Sequence, residues 1–259
     1  MLLNSVIFIL REVLEASILI SILLAITHLL SLSKSWATIS VLSGLIAASG
    51  YAFVVSEVSM AFDGAGQEIV NANLHFLIYL FVLLLIVTLG LRQSLPRIIQ
   101  LIMTAVVTIA VMLEGFEVII YITGFASAEE LLFRVIIGSL IGTGIGISIG
   151  ILFYYLIISM KTARGMLIGL LMLSFTAAGM VSQAIQFLSQ ADIIAGQAPL
   201  WNSNILINEQ SLIGQLLYAV MSYEATPTKI QVISYLTSLV LILYTVIIVY
   251  KRYLKDELR

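Results

Sequence analysis

The chain has 259 residues, of which 61% are hydrophobic and 10% charged, with a formal net charge of -2 and no cysteine. A mean hydropathy of +1.14 leaves too little polar surface to face water, which excludes a soluble domain and predicts an integral membrane protein. The small net charge and the lack of a basic run exclude nucleic-acid binding; without cysteine there are no disulfides, iron–sulfur clusters or thiolate zinc sites, so a bound metal would rely on oxygen or on His28 and His75.

A bilayer core about 30 Å thick needs about 20 apolar residues in a helix. Seven stretches meet that template, at 3–31, 36–57, 71–91, 98–124, 131–159, 164–190 and 230–250. The first has no basic region ahead of it and holds Arg11, Glu12 and Glu15, so it reads as a retained helix rather than a cleaved signal peptide. Turn and charge signals separate the stretches: Ser31 to Ser35, Asp63 to Gly66, Arg92 to Arg97 around Pro96, Ala126 to Glu130, and Lys161 to Arg164. If the segments alternate, Lys34, Arg92, Arg97, Lys161, Arg164, Lys251, Arg252, Lys255 and Arg259 share one side, and the other receives Arg134 and Lys229. That bias places the N-terminus outside and the C-terminus in the cytoplasm.

Two carboxylate couples stand inside this apolar sequence: Arg11-Glu12-Val13-Leu14-Glu15 in the first segment and Leu113-Glu114-Gly115-Phe116-Glu117 in the fourth. A charge in the bilayer costs about 2.5–3.5 kcal/mol on insertion scales and marks a functional site by default. A spacing of three puts Glu12 with Glu15, and Glu114 with Glu117, on one face of their helices. Brought together, these carboxylates would repel unless protonated or bridged by a cation, and Arg11 cannot neutralise them all. The bland alternative is that they pair with Arg11 and hydroxyl or backbone donors to fix helix packing.

Three helices separate the start of one couple from the start of the other. An odd number of crossings reverses direction, so the fold expected is all-α and integral to the membrane, with seven transmembrane helices. These form two inverted three-helix repeats, about 1–91 and 98–190, plus a C-terminal helix at about 230–250, within a single permease domain 1–259. Entering the third segment, Asp63, Glu68, Asn71 and His75 form a polar run that reads as an outer vestibule or as an interfacial helix start. Gly138, Gly142, Gly146 and Gly150 leave a ridge without side chains on the fifth, for tight packing or a dimer face. In the sixth, Ser182, Gln183, Gln186 and Gln190 line the pathway or bond neighbouring helices. The stretch Ser211 to Tyr223 is too short to span and reads as an interfacial or re-entrant helix, a docking surface for an outside partner.

Both couples resemble the Arg-Glu-Gly-Leu-Glu motif of the oxidase-dependent iron permease family, which includes fungal high-affinity iron permeases and bacterial ferrous-iron uptake permeases. The resemblance extends through Gly66-Gln67-Glu68, the glycine-rich fifth segment and Leu217-Tyr218-Ala219-Val220-Met221-Ser222-Tyr223 with Thr226-Pro227, so it spans nearly the whole chain. It implies a permease, not an enzyme. Glu12, Glu15, Glu114 and Glu117 would bind the metal, with Arg11, Asp63, Glu68 and His75 in secondary or vestibule positions. Iron, ferric or ferrous, is substrate rather than permanent cofactor. The resemblance also implies the plasma membrane or a bacterial or archaeal inner membrane, and an extracytoplasmic ferroxidase or iron-delivery protein as partner beside the lipid bilayer; a homo-oligomer is the expectation only if the glycine ridge is a dimer face. Val13 stands where the family has Gly, and Leu113 where it has Arg. Lead, manganese or ferrous iron is the alternative cargo. A membrane anchor for an outside oxidase is the alternative of another class.

Overall fold

A computed structural model describes residues 1–91 and 96–257, with no side-chain detail beyond Lys251. Arg92 and Arg259 of the charge bias therefore lie outside the described residues, as do the side chains of Arg252 and Lys255. The regular elements among the described residues are helices: α1 (Leu2–Leu29), α2 (Ser35–Met60), α3 (Gly66–Leu89), α4 (Pro96–Thr123), α5 (Glu129–Ile158), α6 (Thr162–Gln190), α7 (Leu212–Met221) and α8 (Lys229–Glu257), with a short 3-10 turn, Phe62–Gly64, before α3. Six of these, α2 to α6 and α8 over Lys229–Lys251, are long and apolar enough to cross a membrane. The seventh expected span, α1, has 28 residues and so reaches about 42 Å, but three charges interrupt its apolar run.

Large apolar side chains cover the outside of the bundle, including Phe53, Ile46, Leu140, Leu152 and Val240, while its interior holds small and polar groups beside Leu, Ile and Val. This is the distribution lipid as solvent demands, because helices that gain nothing by hiding Leu from lipid associate instead through close backbone approach and polar contacts. The α5 glycines meet that need. A Cβ on Gly142 would stand 2.7 Å from Val6 O, and one on Gly146 2.8 Å from Val13 Cγ1, so the ridge is the seat of α1. Gly144, on the opposite face, has open space beside it.

A second ridge does the same for α4. Buried Ser40, Gly44 and Ala48 line one face of α2, where a Cβ on Gly44 would meet Val111 Cβ at 2.7 Å and one on Gly115 would meet Ala48 Cβ at 3.2 Å. The main packing pairs are α1 with α5, α2 with α4, and α3 with α6. Exchanging α1–α3 for α4–α6 turns the first pair into the second and returns the third to itself. Likewise α3–α4 becomes α6–α1, and α1–α4 is its own image. Helix α8 lies against α3 and α6, outside this pattern.

The connection between α6 and α8 is ordered by backbone bonds. Leu200 N donates to Pro227 O at 2.8 Å and Ser203 N to Ala225 O at 2.9 Å, tying the outgoing strand of the loop to the returning one. Between them α7 begins at Ser211, whose Oγ accepts the Gly214 N–H at 3.0 Å as an N-cap, and ends at Ser222 in the left-handed conformation. Ser222 sits directly on Gly179 of α6, where any Cβ would overlap its hydroxyl, so α7 is pressed into the bundle rather than lying over it.

Candidate metal centre

α1 and α4 carry the acids, and the two helices touch each other while each is backed by a small-residue ridge on α5 or α2. Glu12, Glu15 and Glu114 are buried, between 4% and 8% exposed, and one ligand oxygen from each lies within 4.8 Å of the others. Glu117 is partly buried and lines the same cavity, but it is not among the three whose oxygens converge. Sequence spacing put each couple on one helix face; the packing of α1 on α4 brings the two faces together.

The cavity, of about 250 Å³, is lined by Phe8, Arg11, Glu12, Glu15, His75, Glu114, Glu117, Gln183, Gln186, Phe187, Gln190 and Tyr218. It is the polar face of the site. A second cavity of about 350 Å³ lies against Glu12 and Glu114 and is mostly apolar, walled by α1, α2, α4 and α5. Glu12 and Glu114 therefore stand at the boundary between a polar and an apolar space. At the exchange-related positions Arg11 faces the polar cavity, whereas Leu113 is buried in the hydrophobic core at 3% exposure. The missing family Arg is thus replaced by packing, and Arg11 is the one Lys or Arg lining the polar cavity among the described residues.

Polar partners fix the acids from several helices. Arg11 Nε lies 3.7 Å from Glu15 Oε1, and Gln183 donates from Nε2 to Glu15 Oε2 at 2.8 Å. The Gln stripe of α6 lines the cavity as well as bonding neighbours: Gln183, Gln186 and Gln190 all face it. Gln186 Nε2 donates to Glu224 Oε1 at 3.1 Å and Gln231 Nε2 to Glu224 Oε2 at 2.8 Å, so Gln186 joins the acid cavity to the outer loop. Burial, with the Glu209 carboxylate nearby, raises the Glu224 carboxyl above its ordinary range.

His75 is buried at 4% and lines the cavity beside Phe187, with ring centroids 5.3 Å apart. Its Nδ1 lies 2.7 Å from the Asn71 carbonyl oxygen, which can only accept, so Nδ1 carries a proton and donates it there. Asn71 in turn accepts from Tyr51 OH at 3.1 Å. Asp63 is exposed on the turn before α3, and Glu68 is half-buried with Oε2 lacking a partner; neither lines the cavity. Of the run entering α3, then, His75 joins the acids and the two carboxylates do not. Gln183 and Tyr218 reach the site from far along the chain. Gln183 was legible only as part of a polar stripe, and Tyr218 had no signal beyond its place in the family-like segment.

Four carboxylates and an imidazole line the cavity, an oxygen-rich setting without thiolate that suits a hard or borderline cation. The profile of the Iron permease FTR1 family matches residues 2–257. The chain belongs to this family. It is accordingly a multi-pass membrane protein of an iron-permease family, which is a family of transporters rather than enzymes. No curated protein and no solved structure gives a significant match to the permease.

Proposed function

We propose that the permease carries iron into the cytoplasm through the Glu12, Glu15, Glu114 and Glu117 cavity, with ferric iron as the ion bound. The observation that carries this reading is the convergence of three buried carboxylates from α1 and α4 within 4.8 Å. Buried acids so close repel one another unless a cation or protons join them, and oxygen donors favour the hard trivalent ion. Glu117 closes the shell as the ion sheds water, and His75 Nε2 offers one further donor. Exposed Asp63 and half-buried Glu68, ahead of His75 on the outer side, gather the ion before it enters.

In this reading α1 is the seventh span. Its three charges are tolerated because they face a cavity and not lipid. The N-terminus lies outside and the C-terminus in the cytoplasm of a plasma or inner membrane, as the Lys and Arg distribution favours. The packing pairs, which map onto one another when α1–α3 are exchanged for α4–α6, support two inverted repeats meeting at the acids, and rocking of one against the other would alternate access. An outside ferroxidase or iron-delivery protein supplies the ion, and the exposed loop residues Trp201, Ile205 and Leu206 offer it a surface.

The test is uptake of radioactive iron, supplied as chelated ferric and separately as ferrous ion, into liposomes holding the purified protein or its Glu15→Ala, Glu117→Ala variant. Ferric uptake lost in the variant is expected. Equal uptake by both proteins, or uptake of ferrous ion alone, would overturn the site or the ion respectively.

A further inference from the structure

Helix α7 belongs to neither three-helix half, yet it delivers a side chain into the acid cavity. The Arg11 guanidinium carbon lies 3.9 Å from the centroid of the Tyr218 ring, a cation–π contact, while the Tyr218 hydroxyl accepts from Gln183 Nε2 at 3.1 Å. The same Gln183 nitrogen donates its other proton to Glu15 Oε2 at 2.8 Å. One aromatic residue therefore touches both the arginine lining the cavity and the amide that orients a carboxylate there.

The way Arg11 is held matters. Its Nε is buried with no hydrogen-bond partner, and its separation from Glu15 Oε1, 3.7 Å, is too long for a hydrogen bond. A guanidinium resting on a ring face is attracted without being locked in direction, and at 3.7 Å it pairs only loosely with Glu15 Oε1, while Oε2 is held by Gln183. Without the ring the guanidinium is free to close further on Glu15 Oε1, in a tighter charge-assisted pair that would occupy an oxygen an incoming ion needs.

We propose that Tyr218 is a positioning residue for the cation site: its ring holds Arg11 back from a tight pair with Glu15, so that the fixed positive charge steadies the carboxylates while competing little for them. The inference deepens the reading of the acid cavity as the iron site and rests on it. Docking of α7 through Ser222 on Gly179 sets the height of the ring, so the outer loop, through α7, governs how freely the site takes up a cation.

The experiment measures ferric uptake in proteoliposomes for Tyr218→Leu, Tyr218→Phe and Tyr218→Trp, each alone and with Arg11→Met, beside wild type and Glu114→Gln. Tyr218→Leu is expected to raise KM about tenfold with Vmax within about twofold, while Phe and Trp, which keep a ring face, stay within about threefold of wild type. In the Arg11→Met background Tyr218→Leu should add nothing. Unchanged KM in Tyr218→Leu, a Phe variant as impaired as Leu, or the same loss in both backgrounds overturns the proposal. If Arg11→Met does not insert, the Leu against Phe comparison decides alone. Wild type without uptake, or Glu114→Gln with full uptake, overturns the reading of the cavity and the proposal with it; normal behaviour of those two controls confines any failure to Tyr218.

Discussion

Val13 fills the space that Gly146 leaves: a Cβ on the glycine would stand 2.8 Å from Val13 Cγ1 and 3.1 Å from its Cβ. Val13 occupies the position where the resembled motif has glycine, between the paired acids Glu12 and Glu15, so the fit between α1 and α5 is set within the motif itself. Gly146→Val should lower stability by about 1–3 kcal/mol through overpacking. Adding Val13→Gly should recover much of that loss, a coupling that a double-mutant cycle of unfolding in detergent would reveal. Additive losses would contradict the fit.

The two ridges make a paired prediction. Gly44→Ala presses on Val111, and Gly142→Ala on Val6 O, so both should destabilise the protein, whereas Gly144→Ala, facing open space, should be neutral or gain up to about 1 kcal/mol from helix propensity. Thermal unfolding of the three variants checks it. A Gly144 variant as weak as the other two would show that helix propensity, not closeness, governs these positions.

Among the acids the structure ranks Glu114 above Glu117, because only the former joins the three convergent oxygens. Glu114→Gln should weaken ferric binding about 30-fold or more and Glu117→Gln about tenfold or less, the difference expected between losing a central and a peripheral charged ligand. Equilibrium dialysis with the purified protein measures both. The reverse order would move the ion away from the convergence point.

A chain without cysteine lends itself to labelling for topology. Exposed Ala198 lies in the α6–α8 connection and exposed Ser159 at the end of α5. In sealed cells or right-side-out vesicles an impermeant thiol reagent should label Ala198→Cys and spare Ser159→Cys until the membrane is opened. Labelling of Ser159→Cys from outside would invert the orientation inferred from Lys and Arg.

The sequence carries the helices well, since a charged residue or turn cluster interrupts each apolar stretch and the observed ends fall within a few residues of those breaks: 98–124 became Pro96–Thr123, and 164–190 became Thr162–Gln190. The larger shifts came at α3, which starts at Gly66 rather than 71 with polar Gln67, Glu68 and Asn71 inside the helix, and at α8, which runs on from 250 to Glu257 through a charged tail. The acids were legible because burying them is costly. The α2 ridge was not, since serine and alanine at Ser40 and Ala48 look ordinary where four spaced glycines in α5 do not. Nor could Tyr218 be placed: its partner Gln183 is 35 residues away and Glu15 lies 168 residues from Gln183, separations that no local pattern encodes.

Because α1 rests on α5 and α4 on α2, Glu12 and Glu114 belong to different packed pairs, with the polar cavity on one side and the apolar one on the other. A multivalent ion held between them, as proposed above, would work as a removable cross-link, and its departure would leave like charges that repel unless protonated. On the proposed reading, the carboxylates would then serve as both ligand and spring: ion and repulsion would act on the same two side chains, Glu12 and Glu114, at the boundary of the polar and apolar cavities.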